Sequence, residues 1–163
     1  MKNAESAPSG RREDTLAALR GRYPGLEYRP VDPAPSVTVE AGTLRHHLAF
    51  LRDELAFDFL VFLTAMDHPA EGALEVIYRL FSRESRMTVV VRARLPRDSA
   101  RIPTVSDLYR TAEWHERETA ELFGIVFEGH PDPRRLLLPD DLEGFPLRKD
   151  FTHPNLLKLP EVP

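Results

Sequence analysis

Two stretches of alternating apolar and polar residues in the middle of the chain constrain the fold most. The first has apolar residues at every second position from Leu74 to Leu80, and the second has them from Met87 to Ala93. The four residues Ser82 to Ser85 lie between the stretches, a length typical of a hairpin. Alternation with period two places the apolar side chains on one face of a strand. The pattern therefore predicts an antiparallel pair of strands that buries one face.

A nearly continuous apolar run precedes this pair. It extends from Phe57 to Met66. Strands that are covered on both faces have this composition, whereas half-exposed strands alternate. The run therefore predicts the central strand of the sheet, and Val37 to Val39 predicts a further short strand.

Helical spacing of apolar residues appears before these strands. Asp14 is positioned to cap a helix that ends near Arg22. Thr43 is positioned to cap a second helix, whose leucines recur at helical spacing at Leu44, Leu48, Leu51 and Leu55. Together with a third helix nearer the C-terminus, these elements predict an α+β fold in which a mainly antiparallel sheet carries helices packed on one face.

The third helix is predicted from Asp107 to Phe123, with Ser106 as its cap and Gly124 at its end. Glu116 falls on its apolar side, among Leu108, Tyr109, Ala112, Thr119, Leu122 and Phe123. An uncompensated buried charge costs several kcal/mol, so this carboxylate requires a partner. The basic pairs Arg134-Arg135 and Arg148-Lys149 are the predicted partners, in a structural network of ion pairs.

Composition divides the chain into three parts. Residues 1–13 are small, polar and charged, and they predict a flexible tail. Residues 14–129 hold the predicted elements and form the α+β domain. Residues 130–163 contain seven prolines and predict an extended C-terminal arm. Leu136 to Leu138 and Phe145 indicate that residues 130–151 dock, either on the domain or on a partner, whereas the last eight or so residues predict a tail.

The composition excludes several classes of function. The chain has no cysteine, which excludes disulfides, a thiol nucleophile and cysteine-ligated iron-sulfur or zinc centres in this chain. Its net charge of −4 gives no basic field for nucleic acid. The longest apolar run is far shorter than the roughly 20 residues that span a bilayer. No secretory signal is evident, so we expect the protein to stay in the cytoplasm and to reach a membrane only through a partner.

One acidic helical segment permits a metal hypothesis. His115 and Glu118 are three residues apart and share a helix face. A zincin requires a second histidine four residues after the first, where this chain has Thr119. A metal enzyme or hydrolase built on His115, Glu118 and His130 is therefore kept only as an alternative, and a structural role is favoured for His130.

Trp114 lies on the opposite side of the third helix from the apolar face, beside Arg110, Glu118 and Glu121. Tryptophan and arginine are enriched in binding hot spots. The residue is therefore predicted to be covered, either by a partner or by the arm folding back.

This segment resembles a known family. Glu116-Arg117-Glu118, Glu121, His130 and Arg134, followed by the run from Gly144 to Asp150, are similar to the signature of the C subunit of respiratory complex I, the 30 kDa subunit family. The resemblance is strong over residues 104–151, fits residues 57–95 in pattern only, and does not extend to the first forty residues.

The resemblance implies a non-catalytic structural subunit of proton-translocating NADH:quinone oxidoreductase (complex I) that carries no cofactor or metal. It implies docking on the D subunit, with the B and I subunits as further neighbours, and FMN and iron-sulfur clusters in other subunits. It implies a peripheral position on the cytoplasmic side of the bacterial cell membrane. A related membrane-bound hydrogenase or a quinone dehydrogenase with another donor is the alternative. The residues expected at the interface between subunits are Trp114, Glu116, Arg117, Glu118, Glu121, His130, Arg134, Arg135, Arg148 and Lys149.

Overall fold

The computed structural model of the protein describes residues 9–29 and 32–154. Three α-helices and seven strands are found in these ranges. In chain order they are α1 (Ser9–Arg22), β1 (Glu27–Arg29), β2 (Asp32–Val39), α2 (Leu44–Asp53), β3 (Phe59–His68), β4 (Ala73–Ser82), β5 (Met87–Pro96), β6 (Arg101–Pro103), α3 (Ala112–Phe123) and β7 (Val126–Glu128). Short 3₁₀ turns occupy Ala41–Thr43, Pro69–Glu71 and Arg97–Ser99.

Five of the strands form one sheet in the order β1-β2-β5-β4-β3. Three of its four pairings are antiparallel, and β2 with β5 is parallel. Strands β6 and β7 form a separate parallel pair. The predicted α+β fold with a mainly antiparallel sheet is confirmed.

The predicted hairpin is formed by β4 and β5, in which Leu80 lies opposite Val89 and Tyr78 opposite Val91. These side chains are buried. They belong to the main hydrophobic core, to which all three helices contribute, with Leu19 from α1, Leu44, Leu48 and Leu51 from α2, and Ala112 and Phe123 from α3. The prediction that the helices pack on one face of the sheet is therefore confirmed. A small cluster of Ala34, Ile77 and Val90 lies on the other face.

The apolar run does not form the central strand. Strand β3 is the last strand of the sheet and pairs only with β4 among the five strands of this sheet, so the prediction of a central position is wrong. Leu60, Leu63 and Ala65 face the core, but the residues between them point outward. A run of apolar residues shows that a strand is apolar on both faces, and it does not show whether this chain covers both.

Two helix starts also differ from the predictions. Helix α1 begins at Ser9, so Asp14 is not its cap, and residues 9–13 belong to the helix and not to the predicted tail. Residues 1–8 lie outside the described ranges. Helix α3 begins at Ala112, so Ser106 is not its cap, and the preceding residues form turns in which Leu108 and Tyr109 both donate their backbone N–H groups to the Val105 carbonyl. Gly124 ends α3 with a left-handed backbone (φ +72°), as predicted.

Candidate functional site

Helix α3 carries the candidate site, and its two sides have different surroundings. Glu116 lies on the core side and is fully buried, as its position on the helical wheel predicts. Trp114, Arg117 and Glu121 follow one another at spacings of three and four residues on the opposite side. The segment 130–154, here called the arm, runs along this second side.

Glu116 is held by the loop before the helix. Its carboxylate accepts hydrogen bonds from the Thr104 hydroxyl (2.5 Å) and the Val105 backbone N–H (2.7 Å). Burial raises the pKa of this carboxyl group, and the two hydrogen bonds partly oppose that rise. The prediction that the downstream basic pairs neutralise Glu116 is wrong, because these bonds satisfy both of its oxygens.

His130 attaches the beginning of the arm to the first turn of α3. Its Nε2 lies 3.0 Å from the Glu113 carbonyl oxygen, and its Nδ1 accepts the Asp132 backbone N–H at 3.0 Å. These two bonds require the tautomer with hydrogen on Nε2. Nε2 also lies 3.8 Å from the Glu116 carboxylate. Both ring nitrogens are engaged, which supports the predicted structural role.

The described residues contain no cluster of ligands that fits the metal hypothesis. Within residues 9–29 and 32–154, no three histidine, aspartate or glutamate side chains gather in a way that would hold a metal ion. His115 and Glu118 are half-buried, and His130 bonds to backbone groups at both nitrogens. The structure therefore does not bring the three residues of the hypothesis together as a ligand set.

Arg117 binds the first part of the arm through its backbone. Its guanidinium donates to the carbonyl oxygens of Arg134 (2.8 Å) and Arg135 (2.9 Å). The same group lies 5.4 Å from the centre of the Trp114 ring, in a cation-π contact. One arginine thus connects the arm to the exposed tryptophan.

Glu121 binds the arm one helical turn further on. Its carboxylate accepts three consecutive backbone N–H groups, those of Leu136 (3.1 Å), Leu137 (2.8 Å) and Leu138 (3.1 Å). The residue is only 7% exposed. Hydrogen bonds to an ionised carboxylate are stronger than neutral ones, so this contact is a principal anchor of the arm.

The second half of the arm covers the end of α3. Arg148 donates to the Phe123 carbonyl (2.7 Å), and the Leu147 N–H donates to the Leu122 carbonyl (3.0 Å). These bonds satisfy carbonyls that a helix end leaves without partners. The Phe145 ring lies directly on Gly124, where a Cβ atom would be 2.5 Å from it.

A further anchor, Asp67 on β3, is missing from the expected site residues. Its carboxylate accepts two hydrogen bonds from Arg97 (2.8 and 3.1 Å) and one from the Lys149 backbone N–H (2.8 Å). The Arg97 guanidinium lowers the pKa of Asp67 to about 2. Arg97 also pairs with Asp150 at 2.5 Å. The available signal was a single carboxylate at the end of an apolar strand.

The basic residues of the arm do not pair with the acids of α3, in contrast to the prediction. Arg134 pairs with Asp132 (2.7 Å), and Arg135 donates to the Leu142 carbonyl (3.0 Å). Arg148 bonds to a helix carbonyl, and Lys149 contributes its backbone N–H. The carboxylates of Glu121 and Asp67 therefore accept hydrogen bonds from backbone N–H groups of the arm and do not pair with its basic side chains.

The outer side of this assembly remains apolar. Trp114 is 57% exposed, so the alternative in which the arm folds back over it is wrong for the described residues. Leu137 (63%), Leu147 (50%) and Phe145 (37%) are exposed on the arm. We call these four side chains the α3–arm surface. Glu118 is half-buried, and its side chain forms no hydrogen bond or ion pair with the described residues.

No helix in the described ranges is both long and apolar enough to cross a membrane.

Comparison with known proteins gives relatives with similar sequences. A 139-residue match to the C subunit of NADH-quinone oxidoreductase of Moorella thermoacetica is 36% identical and covers 85% of this chain and 94% of that protein. The C subunit of F(420)H(2) dehydrogenase of Methanosarcina mazei is 44% identical over 63% of this chain and 65% of its own. The combined C/D subunit of NADH-quinone oxidoreductase of Phocaeicola vulgatus is 43% identical over 71% of this chain, which is 22% of that longer protein.

Two solved structures share the fold. The trypsin-resistant fragment (1-134) of Nqo5 superimposes with a TM-score of 0.63 at 32% identity, covering 75% of this chain and 98% of the fragment. A chain of the membrane-bound sulfane sulfur reductase, an archaeal respiratory membrane complex, gives a TM-score of 0.72 at 31% identity, covering 86% of this chain and 85% of that one. The family model described as respiratory-chain NADH dehydrogenase, 30 Kd subunit, matches residues 37–155, and this chain therefore belongs to that family.

Proposed function

We propose that this chain is a non-catalytic structural subunit of a proton-translocating NADH:quinone oxidoreductase, and that its α3–arm surface docks on the D subunit of that complex. One observation supports the docking surface most directly. Arg117 and Glu121 of α3 form hydrogen bonds with the arm of the same chain. In contrast, Trp114 and three apolar side chains of the arm are exposed. Exposed aromatic and apolar side chains next to an arginine are typical of binding hot spots.

A further finding supports the D subunit as the partner. In Phocaeicola vulgatus a protein whose name combines C and D contains a segment similar to this chain, so sequences of the two types occur in one polypeptide. In this proposal the B and I subunits are further neighbours, and the complex lies on the cytoplasmic side of the cell membrane.

The docking proposal is tested in the native complex. Trp114→Ala should lower the amount of the D subunit that co-purifies with the tagged chain at least about tenfold, since hot-spot truncations cost about 2 kcal/mol or more. Tyr28→Ala is the matched control, because Tyr28 is an aromatic residue of β1 that is 51% exposed. Recovery of the D subunit at the wild-type level with Trp114→Ala would refute docking through this surface.

Electron transfer is assigned to other subunits, which are expected to hold FMN and iron-sulfur clusters. The chain has no cysteine to ligate an iron-sulfur cluster. We expect the isolated, folded chain to show no visible absorbance beyond that of protein and to contain no stoichiometric metal. A stoichiometric flavin, haem or metal bound to the isolated chain would overturn the structural assignment.

A second candidate is the equivalent subunit of a complex with another electron donor. The 44% identity to the F(420)H(2) dehydrogenase protein and the fold shared with the sulfane sulfur reductase chain favour keeping it. Mass spectrometry of the purified native complex distinguishes the two, because NADH-binding flavin subunits accompany the chain only in the first.

A further inference from the structure

A cavity of about 170 Å³ lies beside the β4–β5 hairpin, where residues of α1 and β2 meet the two hairpin strands. Three charged side chains line it: Arg12 on α1, Arg79 on β4 and Arg86 in the turn before β5. Among the described lining residues, every charged side chain is therefore an arginine. The three guanidinium groups come from three different elements, so the fold itself brings them together at one place.

This concentration of positive charge stands out in an acidic chain. The net charge of the whole chain is −4. Glu84 and Asp58, two carboxylates at the hairpin end of the sheet, pair with other arginines at 2.9 and 2.5 Å. Arg12 and Arg86 have no carboxylate partner in the part of the chain that the structure describes. Their charges are therefore available to an external anion.

The surroundings of the cavity hold the arginines on fixed backbone. Arg79 is half-buried and lies within β4, where it pairs with Val90 of β5. Pro33 and Pro35 form part of the wall on β2, and a proline ring fixes its own backbone angle. A site on regular strands is held more precisely than one on a free loop.

The turn does not require an arginine at position 86. Arg86 has a left-handed backbone (φ +52°), which glycine and asparagine adopt at lower cost. Its side chain is exposed and borders the cavity. The hairpin geometry therefore gives no reason for a guanidinium here, whereas a bound anion does.

The number of donors indicates the class of anion. One guanidinium can engage both oxygens of a carboxylate through two parallel hydrogen bonds. A phosphate group has more acceptor oxygens, arranged around a tetrahedral centre, and it can accept hydrogen bonds from several guanidinium groups on different sides. The Thr88 hydroxyl, also in the lining, is a further possible donor to such a group.

We propose that this cavity binds a phosphate group, with Arg12, Arg79 and Arg86 donating to its oxygens. The phosphate group is either free inorganic phosphate or the head group of an anionic phospholipid, which share this chemistry. The inference does not depend on the proposed docking surface, because no residue that defines the α3–arm surface lines the cavity.

Isothermal titration calorimetry of the full chain with inorganic phosphate tests the first source. We expect a dissociation constant of about 1 mM or tighter. Arg86→Asn should weaken binding at least about fivefold, because a charged hydrogen-bond donor is lost while asparagine tolerates the left-handed backbone. Arg12→Gln should weaken it likewise. Arg20→Gln is the matched control, since Arg20 is an exposed arginine of α1 outside the cavity. All three variants should keep the wild-type melting temperature.

Flotation with phosphatidylglycerol vesicles tests the second source, with phosphatidylcholine vesicles as the reference. Binding of inorganic phosphate that Arg86→Asn weakens supports the site with free phosphate as a ligand. Flotation that Arg86→Asn abolishes, without binding of inorganic phosphate, supports the site with the lipid head group as the ligand. The inference is overturned if the chain binds neither, if Arg86→Asn binds like the wild type, or if malonate, a dianion with two carboxylates, binds as tightly as phosphate.

Discussion

A buried glutamate in a helix can have a functional or a structural role, and the contacts of Glu116 favour a structural role. Its two hydrogen bonds go to Thr104 and Val105, which tie the start of α3 to the loop after β6. The signature residue thus fixes where the helix lies on the sheet.

Glu116→Ala should destabilise the folded chain by roughly 2 to 4 kcal/mol, because the Thr104 hydroxyl and the Val105 N–H lose their acceptor in a buried site. Glu113→Ala is the control on the same helix. Its half-buried side chain forms no hydrogen bond with the described residues, so we expect a change below about 0.5 kcal/mol. Urea unfolding of both variants measures the difference, and equal losses would contradict the assignment.

Asp67 predicts a specific pH dependence. Its pKa is lowered to about 2 in the folded chain by Arg97, so its contribution is fully present above the ordinary aspartate pKa near 4. The contribution, roughly 2 kcal/mol, should be lost as the pH falls from about 4 to about 2. Asp67→Asn should remove this part of the pH dependence. The free energy of unfolding of both proteins between about pH 2 and about pH 6 gives the test, and parallel curves would refute it.

At the scale of elements, the arm is held mainly through its backbone. Arg117 and Glu121 on α3 and Asp67 on β3 bind backbone carbonyl or N–H groups of the arm. Such contacts fix the path of the arm and leave its side chains free to face outward. Leu137 and Leu147 are therefore presented in a defined arrangement by a segment without a core of its own.

Glu121→Ala should release the first half of the arm, because three consecutive N–H groups lose a charged acceptor. We expect trypsin to cleave after Arg134 or Arg135 at least about tenfold faster than in the wild type. Glu118→Ala, three residues away on the same helix, should leave the rate unchanged. The rate is followed by mass spectrometry under native conditions, and an unchanged rate with Glu121→Ala would rule out this anchor.

At the scale of the whole molecule, we expect the domain and the arm to have separable roles. Truncation after Gly129 removes Leu137, Phe145 and Leu147 of the α3–arm surface, together with the arm backbone that Glu121 and Asp67 bind. We expect the truncated chain to keep its sheet, judged by far-ultraviolet circular dichroism, and to fail to enter the complex. Exposed ion pairs contribute only about 0 to 1 kcal/mol, so lost apolar contacts should dominate.

Truncation after Pro154 is the control, since it keeps every described residue of the arm. A chain that ends at Gly129 and still assembles into a fully active complex would show that the arm is dispensable.

The sequence by itself determined the features that depend on local periodicity. The alternation from Leu74 to Ala93 specified the β4–β5 hairpin, because period two is a property of a strand whatever lies around it. The helical wheel likewise placed Glu116 in the core, because the period of 3.6 residues is a property of the helix itself. Gly124 marked the end of α3, since a left-handed backbone favours glycine.

Only the tertiary structure decided the contacts between distant segments. The Asp67 carboxylate and the Lys149 N–H meet across 82 residues, and no local pattern encodes that pairing. The partners of Glu116 proved to be the Thr104 hydroxyl and the Val105 backbone N–H, and the second of these donors is available in a loop of almost any sequence. The composition of β3 shows only that both of its faces are apolar. The order of strands in the sheet places β3 at an edge, and this order decides which face the chain itself covers.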